Sequence, residues 1–359
     1  MLLDDRSYVP TLAVRPSEMN GLELLPGAAK DRMMPCFLLA PWMASNSLEN
    51  TIKRIERAFP NRNYFLDIDQ DYRASNTQNM AQQEFEELKN SDHAHINWIN
   101  FVKKSEKIIP CLQTRGLREP QIRDQIEGFQ NLGRAYCTRI LKDYSSDNLV
   151  NIVGALSSTG AADFTIILEG GWVNDSLSLA AWFGGIITES LNEINATIPI
   201  VVSCTSMPQT FTSFNGDLPY SVTFANRELV DQVAKNTNRQ RIYYGDWGST
   251  RPRQESGMSS RPLPRVDYPT DKSWLIARNK EAGWTFRNAA LAIIRSPDWN
   301  GQLGIWGEEM IFNTTINESL GIDTSQKNVA SRVNIHLYRQ SFFGQPNPVP
   351  AALDEDWQD

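Results

Sequence analysis

A proline near the head of a short apolar run recurs along this chain: VPTL from Val9, MPCF from Met34, IPCL from Ile109 and IPIV from Ile198. Proline is tolerated at the first residue of a strand, where the ladder bond it cannot donate is not yet needed. Runs of the same character without proline lie between: NYFLDID from Asn63, RAYCTR from Arg134, DFTIILE from Asp163 and RIYYGDWG from Arg241. Together they begin near residues 9, 35, 63, 108, 134, 163, 198 and 241, with gaps of 26, 28, 45, 26, 29, 35 and 43 residues. Gaps of that size hold a helix and two loops and are far too long for hairpins.

The intervening segments carry helical periodicity. Leu48, Ile52, Ile55 and Phe59 share one face and stop at Pro60, Pro120 opens a run through Ile122, Ile126 and Phe129, and residues 176–194 give a longer apolar face. Strands apolar on both faces, alternating with helices, mean a parallel sheet covered by helices. The series predicts an α/β fold, a closed (β/α)8 barrel of the TIM type over residues 1–251. The alternative is an open doubly wound sheet. It is disfavoured because the first strand runs into AVRPSE from Ala13, with no glycine-rich phosphate turn.

Residues 252–343 read as an appended α+β region packed on the barrel: a loop, a strand at WLIA from Trp274, a helix over 283–295, and further segments at 305–316 and 330–343. Residues 344–359, rich in proline and acid, are expected to form a flexible tail, because they cannot bury enough apolar area to order themselves.

Composition narrows the setting. The N-terminal MLLDDR has acids where a signal peptide needs base, and the longest clean apolar run, residues 289–294, is too short to span a membrane. Cys36, Cys111, Cys137 and Cys204 show no paired spacing and fall in expected core strands, so they read as buried free thiols of a reduced, cytoplasmic chain. A net charge of −7 argues against bulk nucleic-acid binding. One stretch departs from it. Arg239, Arg241, Arg251, Arg253, Arg261 and Arg265 crowd together, either as a solvated loop or as an anion site.

Barrels of this type gather chemistry at the C-terminal ends of their strands. On that rim Asp67, Asp69, Glu169 and Asp246 are the candidate catalytic carboxylates. Asp67, Glu169 and Asp246 are expected to face a common mouth, where carboxylates share acid and base roles or hold Mg²⁺. Arg15, Glu18, Arg115, Arg139, Trp247 and Arg251 are candidate substrate or phosphate contacts, since guanidinium groups clamp phosphate bidentately. Asp71, Gln113, Ser203, Thr205 and Ser206 complete the rim. Against this stands the reading that rim arginines and carboxylates only neutralise one another. The histidines offer no zinc pattern: His93 and His95 read as a surface segment, and His336 as a satisfied half-buried residue. With no histidine near it in the expected fold, Ser203 is not a triad nucleophile.

The early YVPTLAVRPSEMNGLELL, then YFLDID, VVSCTSMP, YYGDWG, RVDYPTDKSWLIARNK and KNVASRVNIHLYRQ, in this order and spacing, resemble the Beta protein family over residues 8–343. Its namesake is the middle gene of the gop–beta–cII locus of a satellite phage. The resemblance implies a phage- or prophage-encoded anti-phage defence component acting with Gop and a cII-like protein. It supplies no catalytic residues. One departure is that the late motif usually has a tryptophan before its arginine, where here Ser331 precedes Arg332.

Two functions therefore stand. One is a regulatory or scaffolding subunit that holds those partners or senses a phage-derived trigger or nucleotide. The other is a Mg-dependent phosphoester or nucleotide-processing enzyme working at the rim. An enzyme fold does not certify enzyme function, so the first is preferred.

Overall fold

A computed structural model of the chain describes residues 3–76, 78–158, 163–173, 175–253 and 262–345. In chain order the strands are β1 (Tyr8–Ala13), β2 (Cys36–Leu39), β3 (Tyr64–Ile68), β4 (Ile108–Leu112), β5 (Tyr136–Leu141), β6 (Phe164–Trp172), β7 (Ile200–Thr205), β8 (Tyr220–Thr223), β9 (Ile242–Asp246), β10 (Arg265–Pro269) and β11 (Ser273–Arg278). Strands β1 to β7 and then β9 close into a barrel in that order, β9 returning to β1, and every neighbouring pair is parallel. The expected (β/α)8 barrel is the observed fold.

Two of the signature prolines sit inside strands rather than at their heads. The pairing of β1 with β9 ends at Pro10, and its pairing with β2 begins at Thr11. Likewise β4 pairs with β3 up to Pro110 and with β5 from Cys111. Each missing N–H thus falls where the register passes from one neighbour to the next, the position where a barrel strand loses least by lacking a donor.

Strand alternation divides the side chains into two sets. Val9, Cys36, Phe65, Cys111, Ile167 and Val201 belong to a small cluster filling the barrel, whereas Tyr8, Phe37, Tyr64, Val202 and Tyr244 join the larger core beneath the helices. All four cysteines are free and buried, as expected. Their distance in sequence hides that Cys111 Sγ lies 2.6 Å from Cys137 Sγ, on directly paired residues of β4 and β5.

The helices follow the periodicity: Glu49–Ala58 buries Ile52 and Ile55, and Glu119–Asn131 buries Ile122, Ile126 and Phe129. The long gap before β4 holds two helices, Met80–Leu88 and Asp92–Val102. There the surface reading of the histidines is corrected. His93 is exposed, but the chain turns His95 inward with its Nδ1 3.4 Å from the Leu88 carbonyl, and burial lowers its pKa.

The short strand β8 is an unexpected insertion between β7 and β9. It pairs with β11 in a separate antiparallel sheet of order β10–β11–β8, so the appended sheet takes one strand from within the barrel sequence. Behind this sheet lie the helices Phe286–Ile294, Trp306–Ile316 and Ser325–Ser341. The last of these is buried at nearly every position after Asn328 and crosses the helix Pro16–Glu23, where Asn334 donates to the Gly21 carbonyl at 2.9 Å. The expected tail lies outside the described residues from position 346, as does Arg261. Among the described residues no helix is long and apolar enough to cross a membrane.

Candidate functional site

Strand parity places Asp67 of β3, Arg139 of β5 and Glu169 of β6 on the inner face of the barrel, above the apolar layer. Arg139 spans the other two. Its Nη1 lies 2.5 Å from Asp67 Oδ2 and its Nη2 3.8 Å from Glu169 Oε2. Asp67 Oδ1 accepts from Gln113 Nε2 and from the Ile68 N–H, both at 2.8 Å. Glu169 Oε1 accepts from Trp247 Nε1 at 3.0 Å and the Gly171 N–H at 2.8 Å, and Oε2 accepts from the Ser203 hydroxyl at 3.0 Å. Burial raises the Glu169 pKa, with Arg139 and these donors opposing it.

Asp246 is elsewhere. The expectation that it shares a mouth with Asp67 and Glu169 is corrected by one residue of strand parity. Gly245 faces inward, where a Cβ would come within 2.9 Å of both Val201 Cγ1 and the Val9 carbonyl. Asp246, the next residue, therefore points out of the barrel toward the C-terminal helix. Its Oδ2 accepts from Tyr244 Oη and lies 2.7 Å from His336 Nε2; its Oδ1 accepts from Tyr8 Oη and, at 2.8 Å, from the Gly248 N–H. His336 is 1% exposed, fully rather than half buried, and its ring meets Phe224 edge-on. Burial would raise the Asp246 pKa, but His336 and the two tyrosines outweigh it and hold it below the ordinary aspartate value.

A cavity of ≈ 590 Å³ opens between the barrel rim and the appended region. Of the expected phosphate contacts Arg15, Glu18 and Arg251 line it. Arg253, Arg265 and Arg332 join them; the first two belong to the basic stretch, and Arg332 comes from the C-terminal helix. Arg15 lies 3.5 Å from Glu18 and Arg253 lies 2.5 Å from Asp69, while Arg265 at 2.8 Å and Arg332 at 2.5 Å share Asp267. Arg251 donates to the backbone carbonyls of Pro208, at 2.8 Å, and Gln209.

The expected residues thus separate into three places. Asp67, Glu169, Arg139 and Trp247 meet inside the barrel; Arg15, Glu18, Arg251 and, through Arg253, Asp69 meet at the cavity; Asp246 lies behind the sheet. Arg115 is exposed on the loop after β4. Sequence reading missed Asp267 and Arg332. The available signal was their presence within the two late motifs, RVDYP and SRVNIH, as charges among apolar neighbours.

The chemistry open to the inner network is limited. Each Asp67 and Glu169 oxygen already holds a donor or the Arg139 cation. Mg²⁺ requires near-octahedral open oxygen ligands and retains several waters, so these residues do not fit it. Among the described residues no group of three or more His, Cys, Asp or Glu is placed to hold a metal ion.

The family model described as Beta protein matches residues 8–342. "Protein beta" of Enterobacteria phage P4 is 27% identical over 369 residues, covering 99% of this chain and 98% of that protein. The chain belongs to the Beta protein family.

Proposed function

We propose that this Beta family protein is a regulatory or scaffolding subunit of a phage- or prophage-encoded anti-phage defence system, acting with Gop and cII-like partners. The family and the phage P4 relative support the phage setting. The observation that carries the non-catalytic reading is the occupancy of the rim carboxylates. Asp67 and Glu169 are tied to Arg139, and Asp246 is tied to His336, Tyr8 and Tyr244. A general acid or base must be free to exchange its proton with substrate. These groups instead hold strands and the C-terminal helix together.

The test is co-purification of the tagged protein with its operon neighbours, with and without infection, alongside plaque assays on a deletion strain. Recovery of Gop and the cII-like protein, and loss of protection on deletion, is the expected result. Protection that persists without the gene, or neighbours that never co-purify, refutes the reading. The Mg-dependent alternative would require Asp67 to release Arg139, and no contact among the described residues favours it.

A further inference from the structure

We propose that the cavity between the barrel rim and the appended region binds a small ligand carrying a diphosphate group. The inference goes beyond the subunit reading and holds whether or not partner proteins bind.

Charge is the first argument. Arg15, Arg251, Arg253, Arg265 and Arg332 line the cavity, and among the described residues Glu18 is the only lining carboxylate. Counting the contacting acids among the described residues, five arginines face Glu18, Asp69 and Asp267, which leaves two positive charges over. Asp71 acts on Arg15 only through space. A diphosphate supplies the missing negative charge together with several acceptor oxygens. Arginine matches those oxygens with paired N–H donors in a fixed fork.

Preorganisation is the second. The Arg253 guanidinium carbon lies 5.2 Å from the Tyr72 ring centroid, and that of Arg265 lies 3.4 Å from the Phe211 centroid. Stacking fixes the plane of a guanidinium while leaving its N–H edge to a ligand. Arg332 is anchored on a buried helix and Arg251 by two backbone carbonyls. Burial lowers the pKa values of Arg15, Arg251 and Arg332, and repulsion from neighbouring arginines adds to the lowering in each. The cluster is therefore held together against its own charge.

Position and size agree. The loops after β7 and β9, the seventh and eighth barrel strands, contribute Pro208, Phe211, Arg251 and Arg253. By analogy, these are the loops that often build phosphate sites in barrels of this type. The volume of ≈ 590 Å³ lies within the range of roughly 300–1,000 Å³ typical of small-molecule pockets.

Calorimetric titration of the full chain with pyrophosphate, ATP, orthophosphate and sulfate tests the site. Pyrophosphate or ATP should bind at least about 10-fold more tightly than orthophosphate or sulfate, as expected for further charge-assisted hydrogen bonds. Tighter binding of ATP than of pyrophosphate identifies a nucleotide; equal binding identifies the diphosphate alone. Arg251→Ala should weaken binding by about 10- to 100-fold. Arg251→Lys, which keeps the charge but loses the fork, should fall between. Equal affinity for all four anions overturns the proposal in the wild-type protein alone, whatever the variants do. So does undiminished diphosphate binding by a folded Arg251→Ala protein.

Discussion

His336 Nε2, on the C-terminal helix, lies 2.7 Å from Asp246 Oδ2 at the end of the last barrel strand. Both Asp246 oxygens take donors here, so the ring nitrogen of His336 is assigned as the donor in this contact. This contact is one of the pins joining the final helix to the barrel. Nearby, the Arg227 guanidinium sits 3.6 Å from the Tyr244 ring centroid and donates to the Gln340 carbonyl at 2.9 Å.

Replacing Asp246 by Asn keeps the volume but turns one acceptor oxygen into a donor. Two hydrogen bonds to a charged group, from Tyr244 and His336, lose their acceptor. At about 1.5–3 kcal/mol each, the expected loss is about 3 kcal/mol or more, read as a lower urea midpoint.

Acid should expose the same pin. Asp246 and Asp267 are both held below their usual value; burial works against this, and it is overcome at Asp246 mainly by His336 and at Asp267 by Arg265 and Arg332. Their stabilising effect is fully present above the unfolded aspartate pKa of about 3.9 and is lost as pH falls through the lower folded values. Urea midpoints should hold steady down to about pH 4 and then fall, with a shallower fall in Asp246→Asn. Equal slopes in the two proteins would remove Asp246 as a source of the acid sensitivity.

Inside the barrel, Asp67→Asn leaves Arg139 buried without its nearest carboxylate. Breaking one side of a buried pair costs about 3–5 kcal/mol. Replacing both, with Asp67→Asn and Arg139→Met, should recover part of that loss and reveal coupling between the two sites. Phage protection that tracks stability across these variants supports a structural pair. Protection lost in a fully stable variant would return the rim to functional candidacy.

Two glycines should respond with opposite sign to alanine. At Gly21 a Cβ would come within 2.6 Å of the Ala330 carbonyl, where the helices Pro16–Glu23 and Ser325–Ser341 cross. Forcing them apart should cost about 1–3 kcal/mol. Gly184, in the helix Ser176–Gly185, meets nothing within 4 Å, and alanine there should stabilise by about 0.5–1 kcal/mol. Thermal melts of both proteins check the pair.

The native thiols should be inert. Burial pushes the Cys137 thiol up to about 11, and it also raises Cys111 and Cys204. The native protein should not react with Ellman's reagent near neutral pH, whereas all four cysteines react once it is unfolded in urea. A rapid native signal would show that the barrel opens.

The barrel was readable because each strand carries its own apolar run, and the spacing between runs excludes hairpins. That Asp67 and Glu169 share the inner face was readable for a related reason, since strand ends of one parity meet inside a closed ring. Parity also explains the error at Asp246. A strand-terminal acid need not face the mouth, and inward Gly245 reverses its side. Other features depended on contacts that local pattern does not encode. β8 has only four residues and is largely exposed, so it carries no buried run to detect. Arg332 reaches the cavity only because its helix packs across the first barrel helix.

The strand β8, borrowed from between β7 and β9, has a consequence for modularity. Sheet pairing runs from Tyr220–Thr223 to Ser273–Arg278 across the whole of the last barrel strand. A truncation after residue 251 would leave β8 with no sheet to join, and a transplanted C-terminal segment would arrive one strand short. Any exchange of the appended sheet therefore has to carry Tyr220–Thr223 with it, and with that strand the barrel segment in which it is embedded.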